Sequence, residues 1–293
     1  MKRIGILGVG LLGSAVARRL LAKGFEVTGY DTRREPVEAL AAAGLVAAAD
    51  PARAAAGADA VFTILTTPDV VEAVWLDRGG LLDTASASTV LLQMSTIGPA
   101  LSRRLGEAAA SRGRRFLETP ISGTSTSVAR GEGTLYVGGD RALVEQCRPI
   151  FDAVAGRTVH VGPVGAASVT KLAANLIGGI NAIALAEALV LGAKSGLAPA
   201  ELLEALRQSP VASGTVNQRG PLMVSHRFDP HIRLDLFLKD FGLMLKEGER
   251  LGVPLPLTSV AHQLCTAASA AGHGGEDLAA VITTLEYLAG IRS

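Results

Sequence analysis

Two hydrophobic periods alternate along the first half of the chain. Short runs rich in β-forming residues occur at Arg3 to Leu7, Phe25 to Tyr30, Ala60 to Leu65, Thr89 to Met94 and Arg115 to Glu118. Between them lie alanine-rich stretches with apolar residues at helical spacing, among them Leu11 to Lys23 and Pro36 to Ala43. Two further strand-like runs follow at Leu135 to Val137 and Thr158 to Val161. Strands separated by helical or turn segments predict βαβ units around a parallel sheet.

The pattern changes after Gly162-Pro163-Val164-Gly165. From Ala166 onward Leu, Ala and Glu recur at helical spacing and no strand-like run appears. A first helix from about Ala167 to Lys194 would be roughly 40 Å long, enough to leave one domain and form the spine of the next. Pro199, Pro210, Pro221, Pro230, Pro254 and Pro256 then mark shorter helices. The expectation is a doubly wound α/β domain over residues 1–163, followed by an all-α domain over 164–293 built on that long interdomain helix.

Composition narrows the function classes. The chain has 293 residues, 48% of them hydrophobic and 19% charged, so a large core is available and disorder is excluded. Lys plus Arg total 28 against 27 Asp plus Glu, which removes the basic field that nucleic-acid binding needs and points to a small-molecule partner. Cys147 and Cys265 are far apart and form no CxxC or Cys/His cluster. Neither a disulfide framework nor a metal site is expected, and a reducing cytoplasm fits. The first apolar run is too short for a signal peptide. Leu172 to Leu191 is strongly apolar, but Asn175, Asn181, Glu187 and the Gly178-Gly179 pair predict a buried helix and not a membrane span.

Gly8-Val9-Gly10-Leu11-Leu12-Gly13 matches GxGxxG. In a chain with 34 glycines the match alone carries little weight; its setting does. It follows a strand directly, opens an amphipathic helix, and a second strand closes on Tyr30-Asp31. This is the dinucleotide-binding pattern of a Rossmann-type domain, in which the turn approaches a pyrophosphate and the acid accepts from ribose hydroxyls. Asp31 would repel a 2′-phosphate and so favours NAD, while Arg33 and Arg34 could reach one and keep NADP open.

A second constellation starts the long helix. Lys171 and Asn175 sit four apart on one helical face, which Gly178 and Gly179 continue as a bare patch. A desolvated lysine gives up its proton more readily than a solvated one, which suits it to proton transfer at a reacting carbon. A lysine snorkelling from a helix start would show the same spacing. Ser122-Gly123 after Pro120 offers a hydroxyl and unhindered N–H groups that could cradle a carboxylate, though an ordinary turn has the same composition.

Taken in order, Gly8 to Gly13 with Ala17, Leu20 and Gly24, Ser95-Thr96-Ile97, Pro120-Ile121-Ser122-Gly123, Gly165 to Asn175 and Leu238-Lys239-Asp240 resemble the β-hydroxyacid dehydrogenase family of 3-hydroxyisobutyrate dehydrogenase and tartronate semialdehyde reductase, nearly end to end. The resemblance implies hydride transfer between NAD or NADP and a small 3-hydroxyacid or its semialdehyde. It implies that Lys171 is the catalytic lysine and that Ser122, Gly123 and Asn175 hold the substrate. It also implies that Leu65, Thr66, Thr67, Ser95, Thr96 and Lys239 join Gly8, Gly10, Leu11, Leu12, Gly13 and Asp31 around the cofactor. The chain departs from the family at Thr124, where a second glycine is common, and at Leu176, where an asparagine is common. Both lie near the expected substrate position. Arg130, in the hydroxyl-rich stretch Thr124 to Arg130, could meet a second anionic group or simply be solvated.

Three other readings stand beside this one. An imine reductase shares the two-domain plan, a sugar-acid dehydrogenase would need a larger helical domain, and a non-catalytic dinucleotide-binding module would not need Lys171, Asn175 and Ser122. The apolar helical half predicts a homodimer or homotetramer. Gly274-Gly275-Glu276-Asp277 could be a helix N-cap, with Asp277 as the capping residue, or could touch substrate, and the five histidines show no metal or relay spacing.

Overall fold

The computed structural model describes residues 1–291. The chain packs as two compact units, Met1–Leu172 and a second that starts at Ala173, and the division falls within one continuous helix, Ala166–Lys194.

The first unit is built on a nine-stranded sheet. In chain order its strands are β1 (Arg3–Leu7), β2 (Glu26–Tyr30), β3 (Val46–Ala47), β4 (Ala60–Thr63), β5 (Val90–Gln93), β6 (Arg115–Glu118), β7 (Ile121–Ser122), β8 (Thr134–Gly138) and β9 (Arg157–Gly162). They lie in the order β3-β2-β1-β4-β5-β6-β8-β7, with β9 against β8. The run from β3 to β6 is parallel throughout. β8 is antiparallel to β6 and β7, and β9 is parallel to β8. The direction of winding reverses between β1 and β4, which is where open α/β sheets bind their ligands, beyond the carboxyl ends of the strands.

The central strands are apolar at nearly every position because both sheet faces are covered. Ala60, Phe62, Val90, Leu92 and Leu117 enter one core, with Val16 and Leu20 of the helix Leu11–Ala22 and with Ile150 and Phe151 of the helix Arg148–Val154. Their neighbours Val61, Leu91 and Phe116 point the other way, onto Trp75 of Pro68–Leu76 and Leu105 of Pro99–Ser111. Trp75 meets Phe116 edge-on at 5.4 Å and donates its indole N–H to Thr63 Oγ1 at 3.2 Å, so this large ring is buried with its polar atom satisfied. Helices on both faces of a sheet that is parallel from β3 to β6 give the doubly wound fold that the alternating periods predict.

Sequence and structure differ at short elements. β3 and β7 have two residues each, too few to display a period. The segment read as one helix from Pro36 to Ala43 is a turn of helix, Glu35–Glu38, followed by a 3₁₀ turn, Ala41–Ala43.

The second unit is helical. Beyond the remainder of Ala166–Lys194 it contains Pro199–Arg207, Gly214–Ser225, Leu234–Leu251, Pro256–Ala270 and Val281–Leu288. Its described residues include no strand, only an isolated bridge between Arg233 and Asp277. Pro199 and Pro256 sit in the first turns of their helices, where the missing N–H costs nothing. Pro221 does not punctuate as expected: it lies inside Gly214–Ser225, a helix held by burial of Val216, Arg219, Gly220 and Met223 against proline's local preference.

The Gly178-Gly179 patch also differs from its sequence reading. A Cβ on Gly179 would lie 2.5 Å from both Phe237 Cε1 and Phe241 Cζ, so this glycine admits two phenylalanines, whereas Gly178 is half-exposed with nothing nearer than Thr215 Oγ1 at 3.9 Å. By length and composition Ala166–Lys194 is apolar enough to cross a membrane, and 39% of its most apolar window is buried inside the protein. Buried Leu172, Ala182, Leu185, Ala186 and Leu189 mark its core-facing side.

Candidate active site

Most of the sequence-derived candidates in the first unit follow the carboxyl ends of parallel strands. The glycine turn follows β1, Asp31 follows β2, Leu65-Thr66-Thr67 follow β4, and Ser95-Thr96 follow β5. The turn after β1 and the loop after β4 therefore flank the point where the sheet reverses.

The three glycines of the turn do different things. A Cβ on Gly8, whose φ is +96°, would lie 2.2 Å from Ile64 O; one on Gly13 would lie 2.0 Å from Gly8 O. Both serve close backbone packing. Gly10 has nothing nearer than Arg33 Nη2, at 3.7 Å. It begins the helix Leu11–Ala22, with no side-chain cap and no acidic residue in the first turn. A helix N-terminus left uncapped behind an open glycine fits a pyrophosphate, which would find N–H donors and the positive end of the helix dipole there.

Asp31 is tied into the same turn. Its carboxylate accepts Val9 N–H at 2.8 Å and Arg33 N–H at 2.9 Å, and Arg33 Nε lies 3.7 Å from it. It thus fixes the turn's shape, and each oxygen keeps a lone pair for a further donor. Ser95 is nearly fully buried, accepts Leu65 N–H at 2.8 Å and donates to Thr63 O at 3.2 Å. Its hydroxyl holds the Leu65 loop in place. Thr67 accepts Val70 N–H and caps Pro68–Leu76, which leaves Thr66 as the exposed residue of that loop. Thr96 is half-buried.

Ser122 ends β7 opposite Thr134, and Gly123 follows with φ of +139°. A Cβ there would lie 2.7 Å from Ser127 Oγ, so glycine is required for shape as well as backbone angle. Ser122 is half-buried and Gly123 exposed. The departure at Thr124 has a structural account: its hydroxyl accepts Ser127 N–H at 3.2 Å and caps Ser125–Ala129, while Ser127 Oγ donates to Thr124 O. Arg130 is exposed and makes a two-point pair with Glu132, at 3.0 and 2.7 Å, which raises the guanidinium above its ordinary pKa range. Its partner is thus a neighbouring loop acid.

Lys171 is only 7% exposed. It lies in the second turn of Ala166–Lys194, whose start is held by Glu118, the last residue of β6. Asn175, one turn further along the same helical face, belongs to the second unit and donates Nδ2–H to Asp240 Oδ2 at 2.8 Å. Asp240 is buried and pairs with Lys239 at 2.9 Å. Sequence reasoning missed Glu118, and it named Asp240 only within Leu238-Lys239-Asp240, without its tie to Asn175. The available signal was an acid inside an apolar run, Phe116-Leu117-Glu118 and Phe237-Leu238-Lys239-Asp240-Phe241. Asp277 does cap Leu278–Ala280, through Ala279 N–H. No group of three or more His, Cys, Asp or Glu residues among those described is placed to hold a metal.

Residues 3–162 match the family described as the NAD binding domain of 6-phosphogluconate dehydrogenase, and residues 165–285 match that described as the NAD-binding domain of NADP-dependent 3-hydroxyisobutyrate dehydrogenase. The 2-(hydroxymethyl)glutarate dehydrogenase of Eubacterium barkeri is 34% identical over 290 residues, covering 99% of this chain and 96% of that one. The chain belongs to the β-hydroxyacid dehydrogenase family. The crystal structure of 3-hydroxyisobutyrate dehydrogenase from Salmonella typhimurium superposes with a TM-score of 0.88 at 30% identity, covering 97% of this chain and 99% of that one. An imine reductase from Myxococcus stipitatus shares the fold more distantly, with a TM-score of 0.66 at 22% identity over 97% of this chain and 100% of that one.

Proposed function

We propose that this member of the family is a nicotinamide-dependent dehydrogenase of a small 3-hydroxyacid, or a reductase of its semialdehyde, with Lys171 as the proton-transfer group. The observation that carries the reading is the burial of Lys171 in the second turn of a helix whose start is anchored on the strand leading to Ser122. When bound, the nicotinamide supplies the hydride acceptor for oxidation and the donor for reduction. Ser122 Oγ–H and Gly123 N–H donate to the substrate carboxylate. Asp240 fixes the amide of Asn175 and leaves it a second N–H free to donate to substrate. Lys171 takes the hydroxyl proton as the carbon is oxidised and returns a proton to the oxygen in reduction.

Finer assignments rest on single features. NAD is favoured over NADP because the Asp31 carboxylate that follows β2 would repel a 2′-phosphate, with Arg33 as the group that could offset it. A homodimer or homotetramer is supported by exposed Ile177, Leu191, Tyr287 and Leu288. Action in the cytoplasm is supported by two buried, unpaired cysteines.

The test is a panel of 3-hydroxyacids, semialdehydes and cyclic imines with NAD(H) and NADP(H) in parallel, on the wild type and Lys171→Ala. Turnover of a hydroxyacid that falls about a hundredfold in Lys171→Ala, with cofactor binding retained, is expected. Undiminished turnover, or activity on imines alone, would overturn the assignment.

A further inference from the structure

We infer that Glu118 is a positioning residue for Lys171: its carboxylate clamps the first turn of the long helix to the strand end from which the Ser122-Gly123 cradle continues. The inference rests on Lys171 carrying the proton transfer. Glu118 is fully buried and accepts five hydrogen bonds. Oε1 takes Gly165 N–H and Ala167 N–H, both at 2.7 Å. Oε2 takes Ser168 N–H at 3.3 Å, Ser168 Oγ–H at 2.7 Å and Ser102 Oγ–H at 2.5 Å.

The surroundings are shaped to admit this carboxylate. A Cβ on Gly138 of the neighbouring strand β8 would lie 2.2 Å from Glu118 Oε1, so β8 gives up a side chain there. Gly165 adopts φ of +101°, which turns its N–H into the carboxylate, and Arg103 packs over the space where a side chain would be. Within the described residues of the first unit, Glu118 and Lys171 are the buried charged side chains. One is an anion held at a helix start, where the dipole favours it; the other lies on the same helix one turn beyond Ser168.

The connection is short in both directions. Three residues separate Glu118 from Ser122, the first of them Thr119, which donates both its N–H and its hydroxyl to Gln93 O, at 2.6 and 3.2 Å. Two residues separate Ser168 from Lys171 along the helix. The proton-transfer group and the carboxylate cradle are thus referred to a single buried anion. A small displacement of a reacting group costs rate steeply, up to about a hundredfold for 1 Å.

Glu118→Gln preserves shape but turns an amide NH₂ toward donors, so Ser168 N–H loses its acceptor while Gly165 and Ala167 N–H can keep theirs. We expect kcat to fall tenfold or more, with the cofactor Kd by nicotinamide fluorescence and the KM for cofactor within twofold of wild type. Ser168→Ala, which keeps the N–H bond and loses the hydroxyl bond, should show a smaller loss in the same direction, and it serves as the test if Glu118→Gln does not fold. Hydrogen exchange should accelerate over residues 165–171 and not over 8–13. Unchanged kcat in a folded variant overturns the role. So does a parallel loss of kcat, cofactor binding and thermal stability, which marks a general structural anchor. Failure of the functional reading shows separately, as an active Lys171→Ala.

Discussion

The glycine turn permits a prediction in which stability and binding separate. Gly13→Ala places a methyl 2.0 Å from Gly8 O and 2.9 Å from Gly8 C. Both are backbone atoms of the strand-to-helix turn, so neither can rotate away, and relief requires the helix start to part from the turn. Overpacking of this kind costs about 3 kcal/mol at the upper end of its usual range. Alanine's better helix propensity returns about 1 kcal/mol, because Gly13 is helical. The net loss of about 2 kcal/mol corresponds to roughly 4–8 °C in the melting temperature. Gly10→Ala is the contrasting case. Its backbone is extended, at φ −68° and ψ −160°, and its Cβ would meet only the end of the Arg33 side chain at 3.7 Å. Stability should stay within about 0.5 kcal/mol of wild type. If the pyrophosphate approaches over this open face, the methyl takes its space, and cofactor affinity should fall tenfold or more, about 1.4 kcal/mol. Thermal denaturation and fluorescence titration with the reduced cofactor read the two effects. Wild-type cofactor affinity in Gly10→Ala, or an unchanged melting temperature in Gly13→Ala, would refute the division of labour.

Two further perturbations probe buried groups away from the site. Asp277 is fully buried, accepts N–H from His231, Ile232 and Ala279 at 3.0 Å each, and lies 3.4 Å from Arg219 Nε, whose guanidinium is held below its ordinary pKa range by burial. Asp277→Ala strands that cation and three amides, so calorimetry should show a loss of about 3–5 kcal/mol, and a loss under about 1 kcal/mol would refute the account. Burial pushes the Cys147 thiol up to about 11 and that of Cys265 up to about 12. Both stay protonated at neutral pH, so native protein should resist a thiol reagent that labels both once unfolded. Since unfolded thiols ionise from about pH 8.5, their contribution to stability is complete below that pH and is lost as pH rises toward 11 and 12. Fast labelling of the native protein at pH 7 would contradict this.

The fold was legible where a period had room to appear. Arg3–Leu7 and Arg115–Glu118 coincide with the strands read from pattern, and the long helix starts one residue earlier than expected, at Ala166. What stayed hidden was short or overridden. β3 and β7 are two-residue strands whose existence depends on the neighbour they pair with, Thr28-Gly29 for β3 and Thr134-Leu135 for β7. Pro221 defeated the punctuation rule because the burial of four neighbours along one helix outweighs one missing N–H. Gly179 reads as open in the sequence because the phenylalanines that fill its space come from a helix that begins at Leu234.

For the proposed site, motifs exposed the residues proposed to touch substrate or cofactor, and what they did not expose is what Glu118 and Asp240 hold in place. A motif such as Gly8 to Gly13 compresses its reason into six positions, so spacing alone exposes it. Glu118 acts on residues 47 to 50 positions later in the chain, and Asp240 acts on Asn175 from 65 positions away. No local period records such a pairing. What sequence does record is the anomaly itself, an acid among apolar neighbours at a strand end or inside a buried helical face. A buried carboxylate must have partners, since leaving one unpaired in a low-dielectric interior costs several kcal/mol. An acid in such a place therefore identifies a residue committed to holding something in position. In this chain the something is the start of the helix that bears Lys171 in one case and the amide of Asn175 in the other.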